Sequence, residues 1–145
     1  MLPEILVQRL DADLPLPARA HPGDAGLDLR ARVDAVVPAG GRALVPNGFA
    51  LALPAGYVAL AVPRSGLALR EGATLLNSPG VIDAGYRGEV STIVHNTSDR
   101  PLHIRRGDRI AQLLVLRIPE LEITEVESLP GTHRGTGGFG STGGA

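Results

Sequence analysis

The chain has 145 residues, of which 43% are hydrophobic and 20% are charged. This length and composition are typical of one folded domain and exclude general disorder. The 14 basic and 15 acidic residues give a net charge of −1, so the basic excess that nucleic-acid binding needs is absent, and no nucleic-acid partner is expected. The absence of cysteine excludes a disulfide framework, thiolate-ligated zinc and a cysteine nucleophile.

No segment of the sequence is typical of a signal peptide or a membrane helix. Residues 1–10 carry Glu4 within an apolar stretch and lack both a basic start and a cleavage site. The longest uncharged apolar run, residues 49–63, is shorter than the ~20 residues of a membrane helix. We therefore expect a cytoplasmic protein without a membrane partner.

The first predicted elements are short strands, because 19 glycines and 12 prolines are too many for long helices. Apolar and charged residues alternate over residues 27–34, which predicts a strand with one buried face. Residues 49–53 and 58–62 are apolar on both faces, and the segment between them has turn chemistry. A hairpin buried on both faces is predicted there.

Later in the chain, a short helix is predicted over residues 65–71, and further strands over residues 90–95, 110–118 and 121–126. Many short strands at close spacing predict an all-β fold, a sandwich or barrel, with the jelly roll as the natural choice.

The amino-acid composition of the chain changes at Gly131. Residues 132–144 are rich in glycine and have no hydrophobic period, which predicts a β core over residues 1–130 and a flexible arm over residues 131–145. A frayed terminus explains such a sequence. However, the segment also contains a guanidinium, an aromatic ring and two hydroxyls, spaced by glycines whose amides can approach an anion: Arg134, Phe139, Ser141 and Thr142. An arm that binds a ligand is therefore the alternative interpretation.

Several patterns do not indicate a site. The GxGxxG match at residues 135–140 neither follows a strand nor opens a helix, and only five residues come after it. The Arg-Gly-Asp sequence at residues 106–108 is typical of a turn before a strand. The four histidines lack the spacing of metal ligands, so no transition-metal site built by the protein is expected.

Three other places carry polar candidates. Gln112 interrupts an apolar strand face, where a structural hydrogen bond and a ligand contact are both reasonable. Residues 63–66 (PRSG) follow a buried strand and offer an arginine, a hydroxyl and a glycine amide to a phosphate. Residues 77–90 form a glycine-rich turn region with Asp83 and Tyr86, in which the aspartate has either a turn role or a catalytic one.

Taken together, these segments resemble a known family. Five stretches in order are similar to the five motifs of the trimeric deoxyuridine triphosphatases (dUTPases): residues 24–29 (DAGLDL), 63–66 (PRSG), 80–88 (GVIDAGYRG), 109–113 (RIAQL) and 134–143 (RGTGGFGSTG). Each motif alone is unspecific, but five in this order and spacing, from residue 24 to 143, identify the chain as a member. The resemblance implies a β jelly roll that assembles as a homotrimer with three active sites shared between subunits.

The resemblance also implies a reaction. The substrate would be dUTP, hydrolysed to dUMP and pyrophosphate with Mg²⁺ on the triphosphate, which keeps uracil out of DNA and supplies dUMP for thymidylate synthesis. Asp83 matches the residue that deprotonates the water attacking the α-phosphorus, and a carboxylate with a reference pKa of about 3.9 is ionised at neutral pH. Asp28 would reach the hydrated metal indirectly, through water.

The phosphate contacts implied by the resemblance lie in two motifs. Arg64, Ser65 and Gly66 match the phosphate-binding motif, and Arg64 is the second catalytic residue because it would neutralise charge on the leaving pyrophosphate. Gln112 matches a contact to a phosphate or a water molecule.

Base and sugar contacts are implied for the turn region and the arm. Backbone groups from Asn77 and residues 80–83 would read the uracil edge, and Tyr86 would pack on the sugar and exclude a ribose 2′-hydroxyl. In the arm, Phe139 would stack on the base as the arm closes. The remaining substrate contacts implied are Val81, Ile82, Ser91, Arg134, Gly140, Ser141 and Thr142.

Two positions depart from the family pattern, and two rival functions remain. Ser91 stands where relatives often have a longer side chain, so its contact would be through the backbone, and Ala84-Gly85 is less polar than in some members. One rival is a dCTP deaminase of the same fold, which the arm and Tyr86 disfavour. The other is a non-catalytic jelly-roll binding module.

Overall fold

The structure is a computed structural model that describes residues 1–144. Within these residues the chain forms eleven short strands and one helix. In chain order the elements are β1 (Leu6–Arg9), β2 (Leu27–Arg30), β3 (Ala35–Val37), β4 (Arg42–Pro46), β5 (Phe49–Ala52), β6 (Tyr57–Val62), α1 (Ser65–Glu71), β7 (Ala73–Leu75), β8 (Gly80–Ile82), β9 (Ser91–Asn96), β10 (Leu102–Ile104) and β11 (Arg109–Arg117).

The strands form two sheets and two separate pairs, all antiparallel. The larger sheet has the order β2-β11-β6-β8, and the smaller has the order β4-β9-β7. The pairs are β1 with β5 and β10 with β3. Strands distant in sequence lie side by side, as β11 does between β2 and β6, which is the arrangement of a jelly roll. The predicted all-β fold is confirmed.

The core consists of two apolar clusters. One packs the inner face of the larger sheet, including Leu29 and Leu113, against Phe49 and Leu51 of β5. The other surrounds Val45 and Val94 of the smaller sheet. Within residues 1–144, every buried side-chain nitrogen or oxygen has a hydrogen-bond partner, as stable burial of polar groups requires.

The larger sheet also has an outer face that is apolar but not covered. Because side chains alternate along a strand and directly paired residues share a face, the register places six apolar residues together on it. Val81 is 62% exposed and Leu116 is 46% exposed. We call this surface the outer face; its members are Val58, Leu60, Val62, Val81, Leu114 and Leu116.

Three predicted elements are confirmed. Helix α1 covers the predicted residues, 65–71, and β9 and β11 agree with the predicted strands to within one residue at each end. The Arg-Gly-Asp sequence is confirmed as a turn before β11: the Asp108 amide donates to the Arg105 carbonyl at 3.0 Å, and Gly107 has a φ of +90°. A membrane helix is not among the elements, since no helix in residues 1–144 combines the length and apolar content needed to cross a bilayer.

The predicted hairpin of residues 49–53 and 58–62 is wrong. β5 pairs with β1, whereas β6 pairs with β11 and β8. Because both strands are apolar on both faces, the sequence pattern does not specify which partners bury them. Gly56, with a φ of +85°, lies in a turn that leads the chain from the β1–β5 pair to the larger sheet.

The predicted strand over residues 27–34 ends early, at Arg30. The ladder with β11 has a register shift between Arg109 and Ala111, and the Ala31 amide donates instead to the Asp108 carbonyl at 2.8 Å. The Arg32 amide then donates to the Pro46 carbonyl at 2.8 Å. The chain has therefore left the sheet, and Val33, expected on the buried face, is 44% exposed.

The predicted strand over residues 121–126 is also wrong. Leu121 is 79% exposed and Ile123 is 98% exposed. The last hydrogen bond that links this end of the chain to the body runs from the Ile118 amide to the Gly56 carbonyl at 2.8 Å. The strand pattern of residues 121–126 therefore has no partner strand within the described chain.

Candidate active site

Two cavities contain the polar and glycine-rich segments singled out in the sequence. The first, which we call the turn pocket, has a volume of about 320 Å³ and lies beside β8 and the turn after it. Seven of the residues expected to contact a nucleotide line it: Asn77, Gly80, Val81, Ile82, Asp83, Tyr86 and Ser91. The second, which we call the arginine pocket, has a volume of about 370 Å³, and five further expected residues line it: Asp28, Arg64, Ser65, Gly66 and Gln112.

The two pockets share no lining residue. Asp83 lies in the turn pocket, whereas Arg64 and Ser65 lie in the arginine pocket. Within residues 1–144 of one chain, the candidate base and the candidate phosphate-binding residues therefore lie in different cavities.

The turn pocket is shaped by close backbone packing. A Cβ at Gly80 would lie 3.3 Å from Asn77 Nδ2 and 3.4 Å from Ala61 Cβ, so glycine lets β8 approach β6. The Tyr86 amide donates to the Asp83 carbonyl at 3.1 Å and closes the turn. A Cβ at Gly88 would collide with the Tyr86 hydroxyl, which donates to the Glu89 carbonyl at 3.1 Å.

The Asp83 side chain is available for chemistry. The residue is exposed, and within residues 1–144 its carboxylate takes part in none of the hydrogen bonds or ion pairs. Its backbone, in contrast, is held by the turn. A carboxylate held on such a turn can accept a proton from a water molecule.

The arginine pocket is organised around one carboxylate. Asp28 Oδ1 lies 3.8 Å from Arg64 Nε, and Asp28 Oδ2 lies 3.5 Å from Arg109 Nη1. Arg64 Nη1 also donates to the Arg109 carbonyl at 3.0 Å. Two guanidinium groups thus face Asp28 at the start of α1, and their remaining N–H groups can donate to a polyanion. A second carboxylate, Asp24, also lines the pocket.

Gln112 has the structural hydrogen bond that the sequence left open, and it also lines the arginine pocket. Its Nε2 donates to the Pro63 carbonyl at 2.9 Å, and a Cβ at Gly26 would collide with its Oε1. Gln112 therefore fixes the position of the chain just before Arg64.

The protein itself does not provide a metal cage in the part of the chain that the structure describes. No group of three His, Cys, Asp or Glu side chains within residues 1–144 is close enough to hold a metal ion. Mg²⁺ commonly keeps water ligands and binds phosphate oxygens with only one or two carboxylates. The arginine pocket is lined by two carboxylates, Asp24 and Asp28, and two arginines, which fits this kind of ion better than a fully protein-ligated one.

The structure does not bring the arm residues to either pocket. Arg134 Nε donates to the Gly137 carbonyl at 2.7 Å, and the Ser141 amide donates to the Gly138 carbonyl at 3.0 Å. Phe139 is fully exposed and has a φ of +51°. The other arm candidates, Gly140 and Thr142, are exposed as well.

Three charged pocket residues, Asp24, Glu89 and Arg109, were not among the candidate site residues from the sequence. Arg109 lines the arginine pocket and pairs with Asp28; its place at the start of the 109–113 motif was the available signal. Glu89 lines the turn pocket and pairs with Arg32 at 3.0 Å. No local sequence pattern connects Glu89 with Arg32, because 57 positions separate them.

A family model described as dUTPase matches residues 12–143, nearly the whole chain. The chain belongs to the dUTPase family. Among curated members, the deoxyuridine 5'-triphosphate nucleotidohydrolase of Mycobacterium marinum is 55% identical over 146 residues, covering 97% of this chain and 95% of that protein. The protein of the same name from Streptomyces coelicolor is 53% identical over 142 residues, covering 97% of this chain and 78% of that protein.

Solved dUTPase structures share the fold. A variant of the Staphylococcus bacteriophage 80alpha dUTPase with dUpNHpp has a TM-score of 0.89 at 27% identity, covering 97% of this chain and 98% of that one. A variant of the phage phi11 dUTPase, described with a structural Mg(II) ion, has a TM-score of 0.79 at 25% identity, covering 86% of this chain and 97% of that one.

Proposed function

We propose that this chain hydrolyses dUTP to dUMP and pyrophosphate, using Asp83 to activate the attacking water. The observation that carries the proposal is the content of the two pockets. All twelve expected site residues outside the arm line one pocket or the other, seven in the turn pocket and five in the arginine pocket. Such a reaction would keep uracil out of DNA and supply dUMP for thymidylate synthesis.

Asp83 acts as the general base in this proposal. Its carboxylate is exposed on a hydrogen-bonded turn, so it can take a proton from water as the oxygen attacks the α-phosphorus. A positioned base of this kind contributes roughly 10²- to 10⁴-fold to the rate.

The arginine pocket would hold the triphosphate. Arg64, with Ser65 and Gly66 at the start of α1, would bind the phosphates and stabilise charge on the leaving pyrophosphate. Gln112 would contact a phosphate or a bound water. Mg²⁺ on the phosphate oxygens would supply further positive charge to the leaving group, and Asp28 would orient its water ligands.

The turn pocket would hold the uracil and the deoxyribose. Backbone groups of residues 80–83, with Asn77 and Ser91, would present fixed donors and acceptors to the uracil edge. A cytosine edge would leave such groups unpaired, and mismatches of that kind cost roughly 10⁴-fold or more in discrimination. Tyr86 would pack on the sugar where a 2′-hydroxyl would otherwise lie.

We further propose a homotrimer in which each active site is shared. The proposal is supported by the separation of the two pockets within one chain, because neighbouring copies can bring the turn pocket of one subunit to the arginine pocket of the next. The uncovered outer face supports it too, since apolar surface of this kind commonly marks an interface. Arg134, Phe139, Gly140, Ser141 and Thr142 of an arm would then close over the nucleotide.

Pyrophosphate release from each deoxynucleoside triphosphate tests the activity. With Mg²⁺ present, we expect release from dUTP and none above background from dCTP, dTTP, dATP or dGTP. Ammonia release from dCTP would instead support the deaminase rival. A lack of turnover with every nucleotide would support a binding module and contradict the proposal.

Subunit mixing tests the shared site. Asp83→Asn and Arg64→Ala homotrimers should each be nearly inactive. If the two pockets combine across subunits, random 1:1 heterotrimers regain roughly a quarter of the wild-type activity, because each site needs an intact residue from each of two neighbours. The measurement is dUTP turnover after the two variants are unfolded and refolded together, with each variant refolded alone as control. No recovery would place both residues in a site within one chain.

A further inference from the structure

We propose that Glu89 is a positioning residue: its ion pair with Arg32 holds the segment that carries Asp83 and Tyr86. The inference rests on the proposed function, since it concerns how that segment meets the nucleotide. Although Glu89 lines the turn pocket, its Oε1 is engaged by Arg32 and by the Gly48 amide, so it would act through the backbone that it anchors.

The segment needs an anchor because the sheets do not hold it. Residues 83–90 lie between β8 and β9 and form no ladder, and Asp83 and Tyr86 are exposed. The turn bond from the Tyr86 amide to the Asp83 carbonyl is local. The Tyr86 hydroxyl donates to the Glu89 carbonyl at 3.1 Å, so the direction of the ring depends on where the Glu89 backbone lies.

The Glu89 side chain is fixed by two donors. Its Oε1 accepts from the Gly48 amide at 3.0 Å and from Arg32 Nη1 at 3.0 Å. Gly48 is buried with a φ of +81°, and a Cβ there would lie 2.8 Å from Leu14 Cδ2. Because Gly48 is tightly packed, its amide is a rigid point against which the Glu89 carboxylate is held.

Arg32 is itself held at every nitrogen of its guanidinium. Besides the bond to Glu89, Nε lies 3.3 Å from Asp11 Oδ2, and Nη2 donates to the Leu10 carbonyl at 2.9 Å. Arg106 Nη2 donates to Asp11 Oδ1 at 2.9 Å, and its hydrogen bonds hold the pKa of Asp11 well below the ordinary range. A planar fork with all three nitrogens engaged restrains a bound carboxylate more than a freely rotating cation does.

The resulting chain of contacts runs from Arg106 through Asp11 and Arg32 to Glu89. Its last link, Glu89, lies two positions beyond Arg87. Before Val90, whose amide donates to the Phe49 carbonyl at 2.9 Å, the other long-range contact of this segment is the packing of Ala84 against the first apolar cluster, which lies on the far side of Tyr86 from Glu89. Releasing Glu89 would therefore let the Tyr86 ring move while leaving the sheets paired.

The test compares Glu89→Gln, Glu89→Ala and Arg32→Met with the wild type, using dUTP and UTP as substrates. For Glu89→Ala, we expect kcat/KM for dUTP to fall roughly ten- to a hundredfold, as for other small misplacements of site groups. The preference for dUTP over UTP should fall as well, since Tyr86 loses its support. Glu89→Gln keeps an acceptor for the Gly48 amide, so its kcat/KM for dUTP should fall less than that of Glu89→Ala. Arg32→Met should show a fall similar to that of Glu89→Gln. The matched control is Glu71→Gln, on an exposed residue at the end of α1.

Melting temperatures separate positioning from stability alone. If the Glu89 and Arg32 variants melt at lower temperature but keep the wild-type dUTP/UTP ratio at 25 °C, the inference is overturned. The conservative Glu89→Gln variant keeps the test decisive if Glu89→Ala does not fold. In the double variant Glu89→Gln/Arg32→Met, the loss of kcat/KM should be no larger than in Arg32→Met alone, because that substitution already removes the pair with Glu89; additive losses would also overturn the inference. If the wild-type protein does not hydrolyse dUTP, the proposed function itself is contradicted, and not only the role of Glu89.

Discussion

Replacing Asp83 by asparagine is expected to slow dUTP hydrolysis strongly while leaving nucleotide binding nearly unchanged. The substitution keeps the size of the side chain and the Asp83 carbonyl that accepts the Tyr86 amide, so the turn should persist. It removes only the group that can accept a proton. We expect kcat to fall roughly 10²- to 10⁴-fold, measured as pyrophosphate release, with a Kd for a non-hydrolysable dUTP analogue within a few-fold of the wild type, measured by calorimetry.

The matched control for this substitution is Asp99→Asn. Asp99 is an exposed aspartate in the turn between β9 and β10, and it lines neither pocket. Its variant should hydrolyse dUTP at the wild-type rate. If Asp83→Asn kept most of its kcat, Asp83 would have only a turn role. If it lost binding and turnover together, the side chain would be structural rather than the base.

The success of the sequence-based strand predictions depended on whether the pattern was local. In β9, the β-branched residues Thr92, Ile93 and Val94 and the turn residues that follow the run were sufficient to place the strand. β5 and β6 are apolar on both faces, so nothing in either strand indicated that each would pair with a distant partner. Pairing between strands is set by the whole set of packed faces, which a single segment does not contain.

The same limit applies to residues 121–126. Their composition is typical of a strand, but a strand needs a neighbour with free hydrogen-bonding groups, and no strand within residues 1–144 takes that place. Tertiary context therefore overrode the local strand propensity of this segment.

For the candidate site, the motifs selected the residues but not their arrangement. The residues near Asp83 and those near Arg64 were each expected as a group, and each group lines one cavity. That the two groups occupy separate cavities could not be derived, because motif order carries no distances. The pairing of Arg32 with Glu89 was equally inaccessible, since each looks like an ordinary surface charge in its own segment.

Deleting residues 132–145 is expected to leave a folded protein that hydrolyses dUTP very slowly. Between residues 119 and 144, the described hydrogen bonds join this part of the chain only to itself, so the body should keep its melting temperature to within a few degrees. The truncation removes Phe139, and stacking on a base is worth about 1–3 kcal/mol. It also removes Arg134, and a hydrogen bond to a charged group is worth about 1.5–3 kcal/mol.

Since each 1.4 kcal/mol is a factor of ten, loss of these contacts predicts that kcat/KM for dUTP falls roughly 10²-fold or more. The measurements are pyrophosphate release and thermal unfolding of the same preparation. Full-length Phe139→Ala should show part of the kinetic loss without any change in melting, because its ring is fully exposed. A truncated protein with wild-type turnover would show that the arm is a frayed terminus. One that unfolds at much lower temperature would show that the arm packs on the body, and the kinetic loss could then no longer be assigned to closure over the nucleotide.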